Sequence, residues 1–213
     1  DSKLDLANAV NATLTHLGRQ KLDNELIYSY VGDGAPMLIR RALGPETTEE
    51  DLEKALAFFL DYYRQHMLDH TRPYPGVREA LERLHANGVK MAVLTNKPVR
   101  FSQDLVDGLD LGRFFFRVYG GNSFEQKKPD PTGIYRLLEE SRTPPERALM
   151  VGDSAVDVRT ARNAGIRACG VTYGFQPESL EGEPPDLLVD NLLELSDLVL
   201  EARRSGQPLA SSR

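Results

Sequence analysis

Through the first third of the chain, apolar residues recur every three or four positions; beyond it they gather into short unbroken runs. Leu6, Val10, Leu14 and Leu17 keep helical spacing, and Gly18 closes that run. Leu26, Ile27, Tyr30 and Val31 predict a second helix, stopped at Gly32-Asp33-Gly34. Pro36 suits the first turn of a third helix, running through Leu38, Ile39 and Leu43 to Gly44-Pro45. Thr47-Thr48-Glu49-Glu50 reads as a capping box, opening a long helix with Leu52, Leu56, Phe59, Tyr63 and Met67 on one face. Residues 1–72 are therefore expected to form a small helical module without strands.

The turn-rich stretch Thr71-Arg72-Pro73-Tyr74-Pro75-Gly76 predicts a hinge. After it, helix and strand patterns alternate. A helix over Val77–Ala86 ends at Asn87-Gly88, and strand Lys90–Leu94 follows. A helix at Phe101–Val106, a strand near Phe116–Tyr119 and a helix around Ile134–Glu140 come next. Strands are then expected at Ala148–Val151, Ala168–Thr172 and Leu187–Val189. Strands separated by helices imply right-handed crossovers and a parallel, doubly wound, Rossmann-like α/β sheet. That core is expected over residues 73–204, with 205–213 as a disordered tail.

Composition narrows the choice of partners. The chain has 213 residues, 40% of them hydrophobic and 27% charged, with a formal net charge of −6 and no basic stripe. Nucleic acid and anionic membrane are therefore poor partners, and an anionic substrate would have to be held locally. No apolar run is of membrane length and no signal-peptide pattern is visible. Cys169 is the single cysteine, so no intrachain disulfide can form and a reducing cytoplasm is the expected setting. Its neighbours make it a buried strand residue rather than a nucleophile.

The candidate chemistry lies at the ends of the predicted strands. Gly152 turns the chain out of the run Ala148–Val151, and Asp153 stands at that strand's carboxyl end, with Asp157 on the helix that follows. Ligands of open parallel sheets bind outside those strand ends. Two converging carboxylates repel unless a cation lies between them, and hard oxygen ligands completed by water and phosphate oxygens suit magnesium. The structural alternative is an acidic turn with a capping aspartate. Thr95-Asn96 follows Val93-Leu94 directly, which places a hydroxyl at another strand end. Lys128 precedes Pro129, so its backbone is expected to be extended and able to aim the ammonium into the same crevice. Taken singly, a threonine after a strand and a Lys-Pro pair in a loop are ordinary features.

Taken together and in this order, Thr95, Lys128 and Asp153 with Asp157 resemble the second, third and fourth motifs of the haloacid dehalogenase superfamily of phosphohydrolases. Asp1-Ser2, the stretch Val31–Gly44, Leu94-Thr95-Asn96-Lys97-Pro98 and Gly170-Val171-Thr172-Tyr173-Gly174 are similar to the bacterial phosphoglycolate phosphatases within it. The resemblance implies a mobile helical cap over a catalytic sheet and hydrolysis of a small phosphorylated metabolite, 2-phosphoglycolate above all. It implies Mg2+ held partly by Asp153, and a phosphoryl oxygen bound by Thr95 with the Asn96 backbone. Lys128 would offset charge, Asp157 would orient a metal water, and Ser154 would assist. The superfamily's first motif, D-x-D-G-T, carries the nucleophile of an aspartyl-phosphate mechanism, and its first aspartate would stand roughly seven residues upstream of Asp1. Neither Asp1 nor Asp5 replaces it. The strand that bears it, central between those ending at Thr95 and Asp153, is expected to be missing here too.

Substrate selection is expected from Lys97, two residues after Thr95, and from Gly34, whose loop precedes a helix N-terminus. Arg40-Arg41 could bind a substrate carboxylate or simply close a helix. His66 and His70 have metal-pair spacing but no accompanying third ligand, and read as a solvated helix end. His16 and His85 suit helix C-termini. Rival readings are a phosphatase of another small ester or of pyrophosphate, a phosphomutase, and a non-catalytic phosphate-binding or regulatory protein. A receiver-type signalling domain would carry its acidic pair early and has no helical cap. A monomer or a homodimer is expected.

Overall fold

The computed structural model describes residues 1–206. They form two compact units that divide between Arg72 and Pro73. The fold is α/β: one unit is all-helical, and the other carries parallel strands joined through helices.

The helical unit comprises α1 (Lys3–His16), α2 (Asn24–Ser29), α3 (Ala35–Leu43) and α4 (Glu49–His66). Thr48 caps α4 by accepting the Asp51 amide, while Thr47 instead donates its hydroxyl to the Gly44 carbonyl. Burial of the α4 stripe explains the unit's cohesion: Phe59 and Tyr63 are 1% and 2% exposed, and their rings stack 5.8 Å apart. Each such side chain contributes roughly 1.5–3 kcal/mol by leaving water.

Asp5 ties this unit's two chain ends together. It is buried on α1 and accepts the His70 amide and ring, the Thr71 amide and the Thr71 hydroxyl at 2.7–3.1 Å. Burial alone would raise its pKa, but these hydrogen bonds outweigh it and hold the carboxyl below its usual range. Main-chain bonds run both ways between Asp1 and Arg72 beside it.

The second unit follows the chain order α5 (Val77–Ala86), β1 (Met91–Leu94), α6 (Val99–Gly108), β2 (Phe115–Tyr119), α7 (Thr132–Ser141), β3 (Leu149–Gly152), α8 (Ala155–Asn163), β4 (Arg167–Val171), β5 (Leu187–Val189) and α9 (Leu192–Ser205). Its strands fall into a β1–β2 pair and a β3–β4–β5 trio, parallel throughout. β4, flanked on both edges, is buried from Ala168 to Val171, as inner parallel strands are. β1 and β3 each have one partner; every residue of β1 is half-buried, and Val151 of β3 is exposed.

The last helix, α9, was not anticipated, although Asn191-Leu192-Leu193-Glu194 is a capping pattern. Asn191 accepts the Glu194 amide, and the Asp190 amide donates back to the Glu194 carboxylate. α9 runs through Ser205, the first residue of the expected tail, and that cap and the buried Leu195 anchor its start. The remainder of that expectation, 207–213, lies outside the described residues.

Candidate active site

Lys128 occupies the centre of the arrangement. Its ammonium meets Asp157 Oδ1 at 2.6 Å, and the two side chains are only 12% and 8% exposed. Ser154 donates its hydroxyl to the other oxygen, Asp157 Oδ2, at 2.8 Å. Asp157 stands in the first turn of α8, where the dipole favours a carboxylate. Gly152 clears the space behind it, since any side chain there would collide with the Asp157 carboxylate. Both oxygens of Asp157 are thus committed to neighbouring side chains.

The other end of Lys128 is held from β1. Asn96 Oδ1 accepts the Lys128 amide at 2.9 Å, and Asn96 Nδ2 donates to the Lys128 carbonyl at 3.1 Å. The Lys128-Pro129 peptide bond is cis. Thr95 extends the β1–β2 ladder by donating its amide to Tyr119, and its hydroxyl oxygen accepts the Lys97 amide at 3.1 Å. That hydroxyl keeps its own proton to donate. Lys97 is half-buried, and loss of hydration pushes its ammonium down to about 8.

Asp153 is the second acid of the pair, and its surroundings differ. Its Oδ2 accepts the Phe175 amide at 2.5 Å, which lowers the pKa, yet burial and the charge of Asp157 leave the carboxyl raised. Burial is the largest of these effects. Gly174, at φ +120°, brings the backbone against this carboxylate where a side chain would collide with it. Tyr173 and Tyr74 lie nearby, their rings 4.6 Å apart, and burial followed by the Asp153 charge raises the Tyr74 hydroxyl. That hydroxyl is buried with no hydrogen-bond partner among the described residues.

Several contributors were not singled out from the sequence. Gly120 and Gly121 follow β2 and press on the main chain of residues 96–99, where side chains would collide with it. Gly121 donates to the Lys97 carbonyl at 2.8 Å, and Asn122 accepts the Val99 amide at 2.8 Å. The Gly-Gly-Asn sequence after an apolar run was the available signal. Tyr74 was legible only as part of a hinge, and Phe175 contributes a backbone group that no side-chain pattern reveals.

The remaining candidates fall elsewhere. Gly34 belongs to the helical unit, where it is the N-cap of α3 at φ +93°. Arg41 reaches back to Asp33 at 2.5 Å and to the Tyr30 carbonyl, and Arg40 pairs with Glu49. His66 and His70 do not share a helical face, because α4 ends at His66. The former pairs with Asp69 and the latter with Asp5. His16 stacks on Phe58, and His85 meets Phe114 edge-on. Cys169 is buried, its thiol pushed up to about 12 by desolvation.

The donor set suits one kind of metal. No group of three or more His, Cys, Asp or Glu side chains converges among the described residues. Mg2+ is commonly bound by one or two carboxylates with water and phosphate oxygens completing the shell. Asp153 fits that role: it is a half-buried carboxylate, raised chiefly by desolvation and then by the Asp157 charge, which a bound cation would offset. Asp157 already accepts one partner on each oxygen, Lys128 on one and Ser154 on the other.

A Rossmann-like sheet with threonine, lysine and paired aspartates at its strand ends, together with an all-helical unit, defines a hydrolase class. Residues 1–171 match the family of haloacid dehalogenase-like hydrolases, and the chain belongs to that family. Within it, the chain is 41% identical over 202 residues to the phosphoglycolate phosphatase of Pseudomonas putida, covering 92% of this chain and 74% of that one. It stands at the same identity and coverage to phosphoglycolate phosphatase 1 of Pseudomonas aeruginosa. A crystal structure from Haemophilus somnus, described as a predicted phosphoglycolate phosphatase, superposes with a TM-score of 0.86 at 30% identity, covering 92% of this chain and 91% of that one. No helix among the described residues is long and apolar enough to cross a membrane.

Proposed function

We propose that the protein is a magnesium-dependent phosphatase of a small phosphorylated metabolite, 2-phosphoglycolate, working through an aspartyl-phosphate intermediate. The nucleophile in this reading is the first-motif aspartate, carried on a strand that precedes Asp1. The observation that carries the proposal is the Lys128 ammonium, fixed by Asp157 at 2.6 Å and by Asn96 through its peptide, with the Asp153 carboxylate between β3 and the helix that bears Asp157. Such a set presents one immobile cation and one cation-seeking carboxylate to a phosphoryl group. The named relatives support the substrate.

Each residue then has a task. Lys128 offsets the negative charge on nucleophile and phosphoryl oxygens, in a position where it need not reorganise. Thr95 donates its hydroxyl to a phosphoryl oxygen, with the Asn96 amide beside it. Asp153 would hold the metal ion, which would supply charge stabilisation of the phosphoryl group. Asp157 and Ser154 keep Lys128 aimed. Lys97 receives the substrate carboxylate, which would raise its ammonium from about 8 and keep it charged. Gly34 and its loop select the substrate from the helical unit. A reducing cytoplasm suits a chain with a single buried thiol.

The test is phosphate release by the whole protein from 2-phosphoglycolate, glycerol phosphates, an aryl phosphate and pyrophosphate, with Mg2+ or with chelator. The reading requires Mg2+-dependent turnover that favours 2-phosphoglycolate. It also requires Asp153→Asn to raise the Mg2+ concentration for half-activity far more than Asp157→Asn does. Phosphate binding without turnover would point instead to the non-catalytic rival.

A further inference from the structure

We infer that the Asn96 side chain is a positioning residue that acts through Lys128, holding the lysine's peptide at both of its polar atoms while Asp157 holds its ammonium. The inference rests on the phosphatase reading for its consequence and on the hydrogen-bond geometry for its substance.

A lysine side chain has four rotatable bonds, and one ion pair at its tip does not fix where its main chain lies. Here the main chain is fixed separately. Asn96 Oδ1 accepts from Lys128 N at 2.9 Å and Asn96 Nδ2 donates to Lys128 O at 3.1 Å. Only a group that both accepts and donates across one face makes that pair of bonds, and only one orientation of the amide satisfies both. An aspartate would keep the first bond and turn a second oxygen on the lysine carbonyl. Alanine would lose both.

Asn96 is itself braced. Thr95 N donates to Tyr119 O at 3.0 Å, Gly121 N donates to Lys97 O at 2.8 Å, and the absence of a side chain at Gly121 lets that loop close on the Asn96 carbonyl. With its main chain held from the β2 side, the Asn96 side chain spans the distance to residue 128. Asp157 grips the same lysine from α8, after β3. The two groups of strands share no ladder, so Lys128 is a link between them at their carboxyl ends.

The experiment has two arms on the whole protein. In the first, acetic anhydride labelling of individual lysines is followed by mass spectrometry, with exposed Lys54 as the internal standard. Asn96→Ala should raise the labelling rate of Lys128 relative to Lys54 several-fold, and Asn96→Asp, which keeps one of the two bonds, should raise it less. The Asp variant gives the same reading should the Ala variant not accumulate. In the second arm, Asn96→Ala should lower kcat by up to about a hundredfold, the cost of misplacing a catalytic group by an ångström, with little change in KM. It should add nothing in a Lys128→Met background, since a residue acting through another has no effect once that other is gone. Unchanged relative labelling of Lys128 overturns the inference, and so does full additivity with Lys128→Met. The labelling arm needs no turnover, so it decides the positioning role even if the protein proves not to be a phosphatase.

Discussion

Breaking the Lys128–Asp157 pair from one side should cost more stability than any surface ion pair in the molecule. The two side chains are 12% and 8% exposed and meet at 2.6 Å, so water does little to screen them. Removing one partner of such a pair leaves an uncompensated buried charge, at a cost of ~3–5 kcal/mol. A typical domain has only ~5–15 kcal/mol in hand. Asp157→Leu keeps the number and branching of heavy atoms while deleting the charge and the acceptor for Ser154. Lys128→Met deletes the ammonium. Each single variant should lose roughly 3 kcal/mol or more, whereas the double variant should recover most of it, because buried pairs are often replaced by apolar groups at little net cost. Hydrogen exchange of the β3–β4 amides across a urea series is the right assay, since two units make a whole-molecule unfolding curve ambiguous. A single-variant loss below about 1 kcal/mol, the range of exposed pairs, would refute the reasoning: the lysine would then be solvated and not fixed.

Three further outcomes are expected. Gly174→Ala combines an unfavourable φ of +120° with a collision at the Asp153 carboxylate, and should raise the Mg2+ requirement by about an order of magnitude or more, read from activity against Mg2+ concentration. Lys97 has a folded pKa depressed to about 8 from the usual 10.5, so its burial opposes folding while it is charged; that penalty should fade as pH rises from about 8 towards 10.5. The stability gained by Lys97→Met should therefore shrink over that window, and a gain independent of pH would contradict it. Asp5 has a lowered folded pKa, so its contribution is present above the usual carboxylate range and lost as pH falls through the lower folded value. Asp5→Ala should destabilise the helical unit by ~1–3 kcal/mol for each buried donor left unpaired and flatten its acid limb, measured by exchange of the α1 amides.

Much of this was legible because hydrophobic periodicity reports which face of an element is buried. Val77–Ala86 and Leu187–Val189 came out with their observed bounds, since Asn87-Gly88 and flanking turn residues mark the ends. The helix α9 lies within the expected core at 73–204, but its capping signal, Asn191 with Glu194, sits beyond the last strand, where no further strand follows to mark it as a crossover. Strand partners were a different matter. No pattern within Met91–Leu94 or Leu149–Gly152 states how many edges are paired, because pairing belongs to the neighbours and not to the strand. At the site, Thr95, Lys128, Asp153 and Asp157 could be named from type and order. What each does to the others could not. Asn96 was expected to offer its backbone, and the structure spends its side chain on Lys128.

The two aspartates of one short motif are chemically alike and are used in opposite ways, and charge explains why both are needed. Asp157 pairs with Lys128 and has each oxygen occupied by a neighbour, so it fixes where the lysine's charge is presented. For Asp153, burial and the Asp157 charge raise the carboxyl more than the Phe175 amide and the Lys128 charge lower it. The space around these side chains is largely shielded from water. On the proposed reading, a phosphate ester bearing a carboxylate brings roughly three negative charges into that low-dielectric space, and one lysine cannot balance them. Asp153 would hold a divalent cation there, which would supply the positive charge that the carboxylate and the phosphoryl group lack. The substrate carboxylate is then left to Lys97. On the proposed reading, a substrate of the same phosphate without its carboxylate forgoes the contact with Lys97, which is a physical reason for the site to prefer an acid over a simple alcohol phosphate.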